Sequence, residues 1–273
     1  MQSTAALAGK ESRSVTLLKG AQLVRRISNK IRPPAGVFRL LNRNKEVFEC
    51  PICGYNGPFA NLRSFAGSRI NALCPNCGGF ERHRLQYLVL RDAIGILSRR
   101  ETKMLHFAPE KSFRRMFSQR YTNYETADLF MQAVDHRVDI QYLPFEDGSY
   151  DVVFASHVLE HIRDDRKAIK EIRRVLRPNG IAVLPVPIVC DKTIEYPEAN
   201  LYEAGHVRAP GQDYFERYKE YFGRVEVYGS DSFPAKYQVF VYEDRNRWPT
   251  AECPLRPPMQ GTRHSDFVPV CYV

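Results

Sequence analysis

Leu143-Pro-Phe-Glu-Asp-Gly-Ser-Tyr-Asp151-Val-Val-Phe-Ala155-Ser-His-Val-Leu-Glu-His161-Ile162 is the stretch that decides how this chain folds. Its middle, Asp151 to Ala155, is a continuous β-branched and aromatic run, the pattern of a strand buried on both faces. Glu146 to Asp151 is a tight turn leading into that strand. Downstream, Asp165 to Leu176 places Ala168, Ile169, Ile172, Val175 and Leu176 on one side of a helix, and Pro178-Asn179-Gly180 stops it. Ile181 to Val186 reads as the next buried strand. Upstream, Met104 to Ala108 is a short apolar strand, Phe113 to Phe117 reads as helix, Tyr124 to Asp128 as a second strand, and Val138-Asp139-Ile140 begins a third. Strands alternating with helices predict a mainly parallel, doubly wound sheet. Ligands of such sheets bind beyond the C-terminal strand ends, where strand order reverses.

The remaining sequence sets limits on this reading. A chain of 273 residues has room for one full domain and one small module. Apolar residues make up 44% and charged residues 26%, enough for a core under an ordinary soluble surface. No apolar run reaches the ~18 residues that cross a bilayer. The first residues lack the pattern of a secretory signal, so a cytoplasmic location is expected. Net charge is +9, and residues 1–34 supply +6 of it through Lys10, Arg13, Lys19, Arg25, Arg26, Lys30 and Arg32 against Glu11. Residues 1–47 therefore read as a basic leader, partly helical or disordered. Leu17, Ala21, Val24 and Ile31 recur at helical spacing between the cations, so a peripheral membrane contact is an open reading. The tail after Trp248, residues 246–273, is rich in Pro and Arg and is expected to be irregular.

Four of the seven cysteines form two Cys-x-x-Cys pairs, Cys50/Cys53 and Cys74/Cys77, twenty residues apart. Each pair lets two thiolates converge on one ion, and the Gly after each second Cys permits the positive φ of a knuckle. Four thiolates suit a structural zinc ion with no open position. Disulfides or a redox pair are the alternatives, but neither pair opens a helix in a βαβ unit. Residues 48–80 are thus read as a zinc ribbon. Arg63, Arg69, Arg82, His83 and Arg84 lie close by, with Phe59 and Phe65 interleaved. Nucleic-acid contact is one reading of these residues; a folding staple packed on the next domain is the favoured one. The helix from Glu81 to Ile94 ties the ribbon to residues 81–245.

Asp128, ending the second strand, could accept both ribose hydroxyls of a nucleoside, and Asp139 stands where one carboxylate could hold an adenine. With the segment from Leu143 to Val153, with Ser156-His-Val-Leu-Glu-His161-Ile162, and with Glu171-Ile-Arg-Arg-Val-Leu-Arg-Pro-Asn-Gly180, the chain resembles the class I S-adenosylmethionine-dependent methyltransferases of the type 11 kind. A narrower resemblance is to bacterial methyltransferases with a Cys-Pro-x-Cys ribbon, Glu-Arg-His-Arg and Phe-Ala-Pro-Glu. This chain has Glu81-Arg-His-Arg84 and Phe107-Ala-Pro-Glu110. The resemblance implies a seven-stranded Rossmann-like sheet closed by an antiparallel hairpin near Val225–Tyr228 and Tyr237–Tyr242. It implies S-adenosylmethionine as cofactor, held by Phe107, Ala108, Pro109, Glu110, Asp128, Leu129, Asp139, Ile140, Ser156 and His157. The turn Phe107–Glu110 has no Gly, unlike most of the class. That departure also speaks against a dehydrogenase, whose pyrophosphate needs Gly-x-Gly-x-x-Gly.

If the methyl acceptor is a hydroxyl, a neutral imidazole helps remove its proton, and His157, His161 and His206 are the candidates. The polar stretch 188–215 falls where the class builds its acceptor site. It resembles the ribbon-bearing group at Thr193, Glu195, His206 and Arg208. A small-molecule or glycan hydroxyl is the leading acceptor. RNA or protein gripped by the ribbon, and a non-catalytic zinc-containing binding scaffold, are the alternatives.

Overall fold

The computed structural model describes residues 33–64 and 67–273 in two units, 1–44 and 45–273. The leader's cations and its apolar spacing before residue 33 lie outside the described residues, as does Phe65. In the first unit, helix α1 spans Ala35–Leu41 and follows Pro34.

The second unit is organised by one seven-stranded sheet. Its strands are β5 (Lys103–Phe107), β6 (Asn123–Asp128), β7 (His136–Arg137), β8 (Tyr150–Ala155), β9 (Leu176–Val183), β12 (Arg224–Gly229) and β15 (Phe267–Tyr272), in the order β12-β15-β9-β8-β5-β6-β7. The five strands β5 to β9 are parallel, and β15 runs antiparallel to both β9 and β12. Helix α3 (Lys111–Arg120) connects β5 to β6, and α4 (Asp165–Val175) connects β8 to β9.

Side chains of β5 and β8 alternate between two cores, as period-two geometry requires. Leu105, Phe107, Val153 and Ala155 face one core, with Ala168, Ile169, Ile172 and Val175 of α4. Met104, Val152 and Phe154 face the other, with Phe113 and Phe117 of α3 and Leu85 and Leu88 of helix α2 (Glu81–Leu88). Asp164 caps α4 by accepting from Lys167 N at 3.1 Å. β9 follows α4 directly, and its pairing with β8 skips from Leu176 to Ile181; at Gly180, within that irregularity, a Cβ would stand 2.9 Å from Arg177 O.

Two expectations about the C-terminal part are corrected. The partner of Val225–Tyr228 is Val268–Cys271 in β15; of the segment Tyr237–Tyr242, β13 (Val241–Tyr242) pairs instead with β14 (Arg263–His264) in a separate two-stranded sheet. Residues 246–273 are therefore not an irregular tail throughout: Phe267–Tyr272 is an interior strand of the sheet, with Val268, Val270 and Cys271 buried. The Pro- and Arg-rich composition before residue 263 concealed the apolar run Phe267-Val-Pro-Val-Cys-Tyr272. On the β9 side the ladder begins at Val270, one residue past Pro269, and the Pro269 carbonyl accepts from Leu184 N at 3.2 Å.

The four-cysteine segment holds two small hairpins, β1 (Phe48–Glu49) with β2 (Asn56–Gly57) and β3 (Ala60–Ser64) with β4 (Gly67–Leu73). Fully buried Arg84 fastens it to the main body. Its guanidinium donates to Ala72 O and Gly79 O on one side and to Tyr237 O and Gln238 O on the other, and it stacks 4.3 Å over the Phe59 ring.

Candidate active site

Strand order reverses at β5, with β6 on one side and β8 on the other, so a cleft is expected at the C-terminal ends of these strands. Two non-glycine residues with left-handed backbone stand there: Ala108, one residue past β5, at φ +47°, and His157, two past β8, at φ +55°. Each conformation costs roughly 1–2 kcal/mol and persists only where the surroundings enforce it. Ala108 N donates to Ala127 O at 3.0 Å, and His157 N to Pro185 O at 2.9 Å, so each turn is tied to the end of a neighbouring strand. Buried Ser156 accepts at Oγ from Gln86 Nε2 at 2.9 Å. Ala108 thus holds, with only a methyl group as side chain, a left-handed backbone that favours Gly.

Glu110 is held by the start of α2. Arg82 donates to Oε1 at 2.6 Å, and His83 Nε2 lies 2.8 Å from Oε2. His83 Nδ1 accepts from Phe80 N, which leaves the ring proton on Nε2, facing Glu110. Burial would raise the Glu110 carboxyl; His83 and Arg82 outweigh it and hold the pKa well below the usual range. Burial lowers that of His83, so the pair is a neutral imidazole against a carboxylate. The sequence reading named Arg82 and His83 as neighbours of the ribbon and did not single out Gln86. The signal was present: polar Glu81, His83, Arg84 and Gln86 recur through the helix, and all four are buried.

Asp128 closes β6 by accepting from Phe130 N and Met131 N at Oδ1, both at 2.7 Å. Its Oδ2 has no partner among the described residues. Leu129 beside it is exposed. Asp139 accepts from Gln141 N at 2.9 Å, while Ile140 is buried with Phe107 and Ala127. The loop after it is pinned by α4. Arg174 donates to Leu143 O at 2.9 Å and Phe145 O at 2.7 Å, and Glu171 accepts from Leu143 N at 2.9 Å. That explains why the two segments that carry the resemblance occur together.

Past the end of β8, Glu160 is fully buried in the turn Leu159–His161. Its carboxylate lies 3.3 Å from His157 Nδ1 and 4.0 Å from His206 Nε2, and the His161 and His206 rings meet edge-on at 4.7 Å. The structure therefore brings His157, His161 and His206 together around an acid that the sequence reading did not single out. Burial pushes His206 down to about 4, against the pull of Glu160. Burial would raise the Glu160 carboxyl, and His157, His206 and His161 together hold it below its usual range.

Thr193, Glu195 and Arg208 have internal partners. Thr193 donates from N and Oγ1 to Asp213 Oδ1 and accepts from Gly211 N. Buried Arg208, on the hairpin of β10 (Ile194–Asn200) and β11 (His206–Ala209), donates to Leu159 O, Ile162 O and Arg163 O at 2.6, 2.7 and 3.0 Å and pairs with Glu195. Glu195 also accepts from Arg217. Arg208 fixes the turn that carries Glu160 and His161.

In the four-cysteine segment, Cys50 Sγ lies 3.6 Å from Cys77 Sγ and Cys53 Sγ 3.7 Å from Cys74 Sγ, and all four sulfurs lie within 4.8 Å of one another. Gly54 and Gly78 adopt φ +71° and +75° after the second Cys of each pair. Of the cations nearby, Arg69 pairs with Glu81, Arg82 with Glu110, and Arg84 and His83 are buried.

A family described as a methyltransferase domain matches residues 100–184. A 37.1 kDa protein of transposon TN4556 from Streptomyces fradiae is 44% identical over 66 residues, 24% of this chain and 19% of that protein. The sterol 4-C-methyltransferase strm-1 of Caenorhabditis elegans is 48% identical over 42 residues, 15% of this chain and 13% of that protein. The chain thus spans less than a fifth of either curated relative. Among solved structures, an S-adenosylmethionine-dependent methyltransferase from Mesorhizobium loti is similar at 12% identity and a TM-score of 0.46, covering 69% of this chain and 98% of that one. Residues 100–184 thus match a methyltransferase-domain family, and they lie in the seven-stranded, mostly parallel sheet. No helix among the described residues is long and apolar enough to cross a membrane.

Proposed function

We propose that this chain transfers the methyl group of S-adenosylmethionine to a hydroxyl of a small molecule or glycan. The observation that carries the reading is the reversal point of the sheet. There a tight left-handed turn at Ala108 and a carboxylate with one unpartnered oxygen at Asp128 end adjacent strands, and the Ser156-His157 turn ends the next strand. That set suits a nucleoside without phosphate: a ribose accepted by Asp128 Oδ2, with Ile140 and Leu129 near the base. Asp139 would accept from the adenine. Glu110, engaged by Arg82 and His83, would act by holding the Phe107–Glu110 turn rather than by meeting the donor alone.

The bound donor supplies a methyl group already activated by its sulfonium charge. What remains for the protein is alignment, worth ~7–11 kcal/mol. The acceptor oxygen would displace the sulfur at the methyl carbon, with the carbon–sulfur electron pair leaving on sulfur, and the hydroxyl proton would pass to an imidazole of the His157, His161 and His206 group. Burial, which lowers the pKa of His206 to about 4, makes that ring a weak base, which leaves His157 and His161 as the acceptors.

The four sulfurs fit zinc. Zn–S bonds of ~2.3 Å in a tetrahedron place sulfurs about 3.8 Å apart, close to the two separations found. We assign the segment 48–80 as a structural zinc ribbon that Arg84 docks on the main body. Its cations are largely spent on internal carboxylates and carbonyls, which favours a small acceptor over RNA. The test is twofold. Calorimetric titration with S-adenosylmethionine should give heat, where a bare scaffold would give none. A labelled-methyl screen of fractionated cell extract should then place label in the small-molecule or glycan fraction. Label confined to RNA or protein would overturn the acceptor class.

A further inference from the structure

We propose that Glu160, His161 and His206 form a second metal site, for a divalent transition-metal ion, distinct from the four-cysteine cluster. The three ligand atoms lie within 4.8 Å of one another. The donor set, two imidazoles and one carboxylate, suits Zn²⁺, Fe²⁺ or Co²⁺ and is too rich in nitrogen for Mg²⁺ or Ca²⁺.

Cluster geometry alone would not carry this, because a His beside a Glu is common. The second observation is Glu160 itself. Its side chain is fully buried, and neither carboxylate oxygen has a hydrogen-bond partner. Both neighbouring imidazoles approach Oε1, His157 Nδ1 at 3.3 Å and His206 Nε2 at 4.0 Å, so Oε2 is left with none, and His206 Nδ1 is also buried and unpartnered. A buried carboxylate without partners costs several kcal/mol, and a cation on its open oxygens removes that cost. The surroundings hold the acid rigidly in this position. Arg208 donates to the carbonyls of Leu159 and Ile162 on either side of Glu160 and His161, so the turn cannot relax to give the acid a partner. The same arginine lies on β11 with His206, so the two halves of the site are braced by one side chain.

His161 is exposed and His206 half-buried, so the ion would be open on one face. Three protein ligands leave a position for an oxygen ligand, and an oxygen bound there has its proton affinity lowered. On the proposed methyl-transfer reading this would be the acceptor hydroxyl, with His157 left to receive the proton. Binding of the ion does not rest on that reading.

The test uses the full chain with its thiolate site filled by zinc, and Co²⁺ as the probe, with no methyl donor or acceptor present. Wild type should bind one further equivalent. Its absorption should be that of cobalt with nitrogen and oxygen ligands, without the thiolate charge-transfer bands that cobalt in the cysteine cluster would show. His161→Gln, at an exposed position, and His206→Ala, at a half-buried one, should each weaken that binding at least about tenfold, a loss of ~1.4 kcal/mol. Glu160→Gln should do so while keeping side-chain shape. The proposal falls if wild type takes up no cobalt beyond the thiolate site, or if the His161 and His206 variants bind it as wild type does. Donor binding, measured separately by calorimetry, decides the methyltransferase reading whatever the outcome here.

Discussion

The four-cysteine cluster and the Glu160–His161–His206 cluster differ in how each is built and in what each could do. The first lies within 28 residues of sequence, uses one kind of ligand, and encloses its centre on all sides. The second joins a turn after β8 to a hairpin strand some 45 residues later and is open on one face. A closed thiolate tetrahedron can only hold structure together, whereas an open nitrogen and oxygen set beside a cleft can take part in chemistry. The difference also decides what a sequence shows. Cys-x-x-Cys spacing announces itself, while an acid next to a histidine becomes a site only once β11 has been folded back against it.

The comparison yields experiments, the largest effect first. Cys74→Ser should lose the zinc equivalent and several kcal/mol of stability, since zinc binding to such sites is worth ~10–16 kcal/mol in small fingers. Metal content and thermal unfolding measure it, and unchanged values for both would remove the structural role. Arg208→Met should cost ~3–5 kcal/mol, because it leaves the Leu159, Ile162 and Arg163 carbonyls without their donor, while Glu195 keeps Arg217. It should also lower kcat more than it raises KM, since it releases the turn carrying Glu160. A stable variant with normal kcat would contradict the positioning role.

Away from both clusters, His106 is fully buried, and burial brings its pKa down to about 3. Its pKa is lower folded than unfolded, so the unfolded chain binds more protons between about pH 3 and 6.5. Stability should therefore fall as pH drops through that window, by at most ~1.4 kcal/mol per pH unit. His106→Phe should flatten that part of the curve, although it strands the Tyr124 hydroxyl that meets Nδ1 at 2.8 Å. An equally steep acid limb in the variant would assign the loss to carboxylates instead. The smallest effect is expected at Ala108. Ala108→Gly trades relief of the left-handed strain against unfolded-state entropy and should shift stability by less than about 1 kcal/mol. Ala108→Val should cost more than that, because a β-branched residue resists positive φ.

Much of the fold was legible because buried parallel strands leave runs such as Asp151–Ala155 and amphipathic helices leave spacings such as Ala168–Val175. What was missed has common physical causes. β15 hides behind a Pro-rich approach and pairs with strands over 35 residues away in sequence. The cofactor-side residues on α2 were visible only as a polar helix start, and their contacts with Glu110 and Ser156 depend on how α2 meets β5 and β8. Thr193, Glu195 and Arg208 were read as facing the acceptor because they are polar and lie in the right segment. Their partners, Asp213, Arg217 and the carbonyls near Glu160, are set by loop closure, which no spacing rule shows.

The central claim is that Asp128 receives the ribose of S-adenosylmethionine, and Asp128→Asn addresses it most directly. The amide keeps an oxygen for the turn amides of Phe130 and Met131 but replaces the unpartnered Oδ2 with a donor group. Calorimetry should show S-adenosylmethionine bound by wild type and bound about 10- to 100-fold more weakly by a variant of unchanged melting temperature, ~1.5–3 kcal/mol for hydrogen bonds to a charged group. Equal affinity in the two proteins, or no binding by wild type, would contradict the account.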